Sequence, residues 1–514
     1  MKKSLMILVT LALVFSFVLS SCASAQPTAT TVPPTSAPSE PTATNAPAEP
    51  PAEVVMAYPI LGNSPQDLQK VQDALNALPQ VKNINVTIKL MPIPIFQYGD
   101  QMNLILSGSE QVDLMISFSP IQNTTTLIQN GQLNDITDLL NQYAQGTLSA
   151  VGEDYLKAVR VNGKYYGVPT IHDLATAVAV TMRTDLVKKY NIDVTKIKTF
   201  DDLTAVFQTI KAGEPDIAPF FPGGASLNPL DAYILATSDK LGDGNGNLLN
   251  YGSDLTVSNY FASADYAKMV GLLHSWYKQG YILTDAATVT DGPYDEVKAG
   301  KVFAIFTTYK PGQQAQDSRS TGMDMTTIQI GPAFSQTSLV SGIQWVVPIN
   351  SKNPKKAVQL LNLFYTDAEV LNMFNYGIKD VHYILKDNNQ VSLPTGVTPA
   401  NSPYYLSIQW ESGNEFITYT WDTDSADLWQ QTKQYNTDAL KSKAFGFTFD
   451  PSNVQTEIAA VQSVYQQYRV GLENGVSDPA TVIPEFLAKL KAAGLDTIIA
   501  EKQKQLDAWV AANK

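Results

Sequence analysis

From Val54 onward, apolar positions alternate or recur at helical spacing, and the pattern divides the chain into short strands and amphipathic helices. Val54–Tyr58 is an unbroken apolar run, as a buried strand requires. Ser64-Pro65-Gln66-Asp67 offers an N-cap, a proline at the first helical position and an acid behind it. Leu68, Val71, Leu75 and Leu78 then follow on one helical face, and Pro79 ends it. Ile84, Val86, Ile88 and Leu90 alternate with polar residues and predict a second strand. This opening is a β-α-β unit, so it predicts a parallel pair with a right-handed crossover. A helix over 98–106 and a strand over 112–116 extend the same α/β lobe. Ligands of open α/β sheets bind beyond the carboxyl ends of the strands, which selects the loops 59–63 and 117–122 and within them Asn63 and Phe118.

A different pattern begins at Val161. Asn162-Gly163 supplies positive φ at low cost and predicts a hairpin. Tyr165, Tyr166 and Val168 follow, and then the small and β-branched run 175–182. Such a run suits a strand packed on both faces. It reads as the first strand passing from one lobe to a second. The alternative is a hairpin and a buried strand within one domain. Val297–Phe306 combines a helix end, Gly300 and an apolar strand, and is the candidate for a second crossing. Ser341–Pro348 is the candidate for a third. Beyond it the tail reads as helical, with helices expected up to Asn474-Gly475, over 485–493 behind Pro484, and after Asp496. These crossings divide the chain into a signal at 1–21, Cys22 and a tether over 22–53, one lobe from 54–172 plus 307–347, and another from 173–306 plus 348–514.

Composition changes the picture at the N-terminus. Lys2 and Lys3 precede the apolar run Leu5–Leu19, too short for a spanning helix. Cys22, the single cysteine of the 514 residues, follows that run directly. No disulfide or thiolate metal site can therefore form within the chain. From Ala23 to Glu53 proline, threonine, alanine and serine dominate; such a segment buries too little apolar surface to order itself and reads as a tether. The formal net charge of −13 gives no general attraction for nucleic acid.

Candidate chemistry is sparse. There is no His-Glu-x-x-His, no Gly-x-Ser-x-Gly and no phosphate-binding glycine loop. The three histidines stand far apart in sequence, so no local metal motif exists, and no catalytic residue or cofactor is expected. Asp243, Asn245, Asn247 and Asp254 occupy positions 1, 3, 5 and 12 of a calcium loop. Position 6 is Leu248 where such a loop needs glycine, and position 12 is Asp where it has Glu, so a plain turn is favoured. Aromatic residues are abundant, with 24 Tyr, 19 Phe and 6 Trp. Their flat apolar faces and polar tips suit sugar rings. Tyr166, Tyr309, Trp345, Tyr376, Trp410 and Trp421 stand near the crossings or in the region beyond them.

Four stretches carry a family resemblance. They are N-G-K-Y-Y-G-V-P with its strand and R-T-D-L, K-A-G-K through Tyr309, Ser341–Pro348 with S-K-N-P, and Y-G-I-K-D-V-H-Y from Tyr376. Together they resemble the maltose-type family of extracellular solute-binding proteins, the ligand-capturing subunits of ABC importers. The last stretch, W-E-S-G-N-E from Trp410 and the C-terminal tail resemble a longer subgroup; Asp380 stands where that subgroup has glycine. The resemblance implies a type II periplasmic-binding-protein-like α/β fold, with two lobes and hinge strands between them. It implies a monomer that closes on a small-molecule ligand, most readily an oligosaccharide, and is recognised by permease subunits. It places His172, Asp173, Tyr309 and Trp345 on the cleft. The stretch around Cys22 resembles a bacterial lipobox, which implies acylation of Cys22 and anchoring at the outer face of the cell membrane. Rival readings are a receptor for a peptide or other solute, an anchored glycosidase and an adhesion protein.

Overall fold

The computed structural model describes residues 50–513; Cys22, the signal and most of the tether lie outside the described residues. The chain order of the elements that position the site is as follows. Strand β1 (Ala52–Ile60), helix α1 (Leu68–Ala77), β2 (Val86–Pro94) and β3 (Leu114–Phe118) form the opening α/β unit. β4 (Gly167–Pro169), β5 (Thr176–Arg183), β6 (Ala218–Phe221), β7 (Val302–Tyr309), helix α2 (Gln313–Thr321), β8 (Met325–Ser335) and β9 (Ile343–Val346) follow. Then come α3 (Pro354–Thr366), α4 (Ala368–Tyr376), α5 (Leu428–Asp438), β10 (Leu440–Lys441), α6 (Gln455–Glu473), α7 (Pro479–Ala492) and α8 (Leu495–Ala512).

Two five-stranded sheets result, ordered β2-β1-β3-β9-β4 and β10-β8-β5-β7-β6. β1 pairs in parallel with β2 and β3, as a right-handed β-α-β opening demands. Each sheet organises its own core. One core runs from Val54 to Leu174 and resumes over Val340–Ile408. The other spans Val178–Ile330 and resumes over Ala444–Leu506. This is a two-lobed α/β fold in which the chain changes lobe more than once.

The division differs from the expected boundaries in two places. Residues 307–335 belong to the second lobe, because β7 pairs antiparallel with β5 from Ala304↔Met182 to Tyr309↔Ala177 and β8 flanks β5 on its other side. The stretch 302–309 is therefore an interior strand of one sheet and no crossing. Residues 348–417 belong to the first lobe: α3 and α4 cover the first sheet, and Tyr365 Oη donates to the Pro169 carbonyl at 2.8 Å. The lobes are joined at Thr170–Ala175, at Gln336–Gly342 between β8 and β9, and again between Ile417 and Leu440. The Asn162-Gly163 hairpin forms as expected, with Arg160 opposite Tyr165 and Val161 opposite Lys164.

Local signals hold with adjustments. α1 begins at Leu68, later than Ser64-Pro65 suggested, and Asp67 caps it without a side-chain bond. The Asp67 carboxylate is taken by His382, whose Nε2 donates to Oδ2 at 3.0 Å while its Nδ1 accepts the Ile378 N–H at 2.9 Å. Asp380 adopts φ +61, the left-handed conformation that glycine would supply and aspartate tolerates. α7 starts at Pro479 and carries Pro484 within it, earlier than the expected start at 485.

Candidate functional site

A cavity of about 500 Å³ lies where the two lobes meet. The first crossing forms part of its wall. Ile171 is held between the Gly413 carbonyl, which accepts its N–H at 2.7 Å, and the Glu415 N–H, which donates to its carbonyl at 2.9 Å. Asn436 on α5 then clamps the next turn: its Nδ2 donates to the His172 carbonyl at 2.7 Å and its Oδ1 accepts the Leu174 N–H at 2.9 Å. With its backbone held on both sides, this segment presents His172 and Asp173 to the cavity. Gly413 has no substitute here, because a Cβ would stand 2.5 Å from the Phe364 carbonyl oxygen.

The second lobe contributes Lys310, in the turn directly after β7, and Gln316, Arg319 and Ser320 of α2. Lys310 Nζ reaches Asp173 Oδ1 at 3.2 Å, and Arg319 Nη1 reaches Asp424 Oδ1 at 2.6 Å. Burial alone would push the Asp173 carboxyl up, but Lys310 and the hydrogen bond from His172 outweigh it and hold the group well below the usual carboxylate range. Glu415 behaves in the opposite way. Burial, followed by repulsion from Asp173, pushes it up to about 8, against the pull of Lys310. It is therefore mostly neutral at pH 7. Its side chain is buried and makes no hydrogen bond among the described residues, so a carboxylic acid is available to a guest as both donor and acceptor. His172 Nε2 is likewise buried without a protein partner.

Aromatic rings complete the walls. Trp410, Tyr376, Tyr419, Trp421 and Trp429 line the cavity. Trp421 meets Tyr376 edge-on at 5.4 Å, and Phe118 supports Trp410 at 5.7 Å. Trp429 is fixed by donating from Nε1 to the Thr418 carbonyl at 2.8 Å. Flat apolar faces beside a few convergent donors and acceptors are what a polyhydroxylated ring requires. Among the described residues no group of three or more His, Cys, Asp or Glu could hold a metal ion.

Of the residues singled out from sequence, His172, Asp173, Tyr376, Trp410 and Trp421 line this cavity, and Phe118 stands behind Trp410. Four others lie elsewhere. Trp345 is fully buried, edge-on to Phe364 at 6.2 Å, with Nε1 donating to the Ser412 carbonyl at 3.2 Å. Tyr309 turns onto Tyr435 at 6.0 Å and borders a separate groove along α5. Tyr166 packs on the first core. Asn63 is exposed in the loop after β1, and Leu61, two residues earlier, lines the cavity instead. Lys310, Glu415, Arg319, Asp424 and Trp429 had not been singled out. Lys310 adjoins Tyr309, and Glu415 sits within the W-E-S-G-N-E stretch, so proximity to those motifs was the available signal.

Two packed α/β lobes with a ligand-sized cavity at their junction define a solute-binding receptor. The chain belongs to the family of bacterial extracellular solute-binding proteins, whose family model matches residues 62–370. A second model, described as a domain of unknown function (DUF3502), matches 443–511, the helical tail that packs into the second core. A carbohydrate ABC transporter substrate-binding protein of Streptococcus pneumoniae serotype 4 is 27% identical over 463 residues, covering 89% of this chain and 91% of that protein. Among solved structures, an N-glycan transport solute-binding protein from Streptococcus pneumoniae superposes with a TM-score of 0.78 at 26% identity, covering 90% of this chain and all of that one. Its complexes with Man1GlcNAc and Man5GlcNAc superpose at 0.70 and 0.66, each at 25% identity over 90% of this chain and 100% and 99% of theirs.

Proposed function

We propose that this protein captures an oligosaccharide outside the cytoplasm and delivers it to the permease of an ABC importer by closing its two lobes. The observation that carries this reading is the aromatic-walled cavity, whose polar groups come from both lobes. A ligand that touches both lobes makes its full set of contacts only when they close, so binding favours closure. The glycans named for the pneumococcal protein support a carbohydrate cargo here. Cys22 serves as the acylated anchor. Replacing it by Ala should move the protein from the membrane fraction to the medium or periplasm, and retention at the membrane would count against the anchor.

Thermal shift with a panel of oligosaccharides tests the reading. A ligand at one hundred times its Kd stabilises the folded state by about 2.7 kcal/mol. A shift with the sugar recovered intact supports the receptor; no response to any glycan counts against it. A neutral Glu415 near an ionised Asp173 also has the charge states of a glycosidase's acid and nucleophile. Release of reducing ends over time would favour that second reading. Engagement of Asp173 by Lys310 argues for a structural role instead.

A further inference from the structure

The loop over 240–247 holds a feature that solute capture does not use. Asp239 and Leu248 form an antiparallel bridge that closes the loop, with reciprocal N–H to carbonyl bonds of 2.9 Å. Asp243, Asn245 and Asn247 project from it at the spacing of the first three ligands of a calcium loop. The remaining requirements are not met. Leu248, where the sharp turn needs glycine, is a fully buried strand residue, and the Asp254 carboxylate accepts the Thr256 N–H at 2.8 Å in a separate turn.

The cation position is already filled. Lys502 enters from α8 with its side chain wholly buried. Its Nζ donates to Asp243 Oδ1 and, at 3.2 Å, to the Gly246 carbonyl, and it lies 5.0 Å from the centroid of the Phe449 ring. Gly246 lets the helix approach, since a Cβ there would meet Ile499 and Val257 at 3.0 Å. Two buried oxygens of the same loop, Asp239 Oδ2 and Asn247 Oδ1, have no hydrogen-bond partner. Burial pushes the Lys502 ammonium down from the ordinary lysine range, and Asp243 followed by Asp239 pulls it back.

We propose that Lys502 is a resident counter-cation, standing where a divalent ion would sit in an Asp-x-Asn-x-Asn loop, so that the C-terminal helix and not calcium fixes this loop. The tail beyond residue 443 thereby gains a role: it carries the charge that pairs with the partly exposed Asp243 and attracts the buried Asp239. Calcium takes six to eight oxygens and would have to displace a tethered ammonium to bind. Removing the ammonium takes the donor away from the Asp243 carboxylate and the Gly246 carbonyl, which are then free to accept an ion.

The test measures Tm of the whole chain in millimolar calcium and in excess EDTA, for wild type, Lys502→Gln and the double variant Lys502→Gln/Asp243→Asn. The wild-type Tm should be the same in both buffers. Lys502→Gln should melt several degrees lower in EDTA and recover part of the loss in calcium, and the double variant should not respond. A wild-type Tm that rises with calcium and falls with EDTA overturns the proposal, as does a folded Lys502→Gln protein indifferent to calcium. Should Lys502→Gln fail to fold in EDTA, refolding in calcium supports the proposal and failure in both overturns it. Terbium luminescence on the wild type reads the same point without any variant: no saturable emission is expected, and a stoichiometric site overturns the proposal.

Discussion

Glu415 shows how far burial can redirect one residue. Its ordinary value is 4.5, and in the folded protein it is raised to about 8. Between those values the unfolded chain has released the proton and the native protein has not. Native stability therefore falls as pH rises from about 4.5 to about 8 and then levels. Glu415→Gln removes this slope, so its Tm should exceed that of wild type by more at pH 8 than at pH 5. A difference that does not change with pH would count against a neutral acid. Two tryptophans separate site from core at the same scale. Trp345→Ala should cost about 3–5 kcal/mol of stability, as truncation of a large core aromatic does, with sugar affinity of the folded protein unchanged. Trp410→Ala should leave the urea midpoint close to wild type and weaken sugar binding by roughly twofold to tenfold, the worth of one aromatic face. Calorimetry alongside urea melts distinguishes the two.

At the scale of elements, the first crossing and α5 work as one piece. Asn436 satisfies a carbonyl and an N–H on either side of Asp173, and Tyr435 from the same helix donates to the Tyr309 carbonyl at 3.0 Å. Asn436→Ala should cost about 2 kcal/mol or more, because two buried backbone groups lose their partners. It should also weaken sugar binding, because His172 and Asp173 are no longer held. Destabilisation with unchanged affinity would show that the crossing keeps its shape without the clamp. Strand and helix patterns were largely legible from local spacing: β1, α1, β2 and the Asn162-Gly163 hairpin all follow from it. The destination of an element was not. The apolar run 302–309 has the composition of any buried strand, and only its pairing with β5 and β6 assigns it to the interior of the second sheet. Trp345 was misplaced for the same reason. A tryptophan beside a crossing can face the cleft or the core, and alternation along a four-residue strand does not decide which.

For the whole molecule, the lobes have separate cores; two of the connections between them are short, and the third, between Ile417 and Leu440, carries α5 and lines the cavity. Closure can therefore proceed with little repacking inside either lobe. Small-angle scattering should show a smaller radius of gyration when a stabilising oligosaccharide is added at saturation. An unchanged value with a clear thermal shift would mean that the ligand binds without closure. Lys441–Asp154 at 2.8 Å and Gln129–Asp450 at 2.6 Å already tie the lobes on exposed surfaces, and such contacts are expected to rearrange at little cost.

The sequence by itself determined the local elements, the absence of disulfides and, through a few short motifs, the receptor family. Those depend on residue type and near-neighbour spacing, which a linear chain displays. Tertiary structure decided which lobe owns β7, α3 and α4, which aromatics face the cavity, that Glu415 is neutral and that Lys502 fills a cation position. Each of these depends on residues far apart in sequence, brought together by sheet pairing and burial. The charge state of Glu415 and the pairing of Lys502 with Asp243 exist only once the fold has brought those distant groups together.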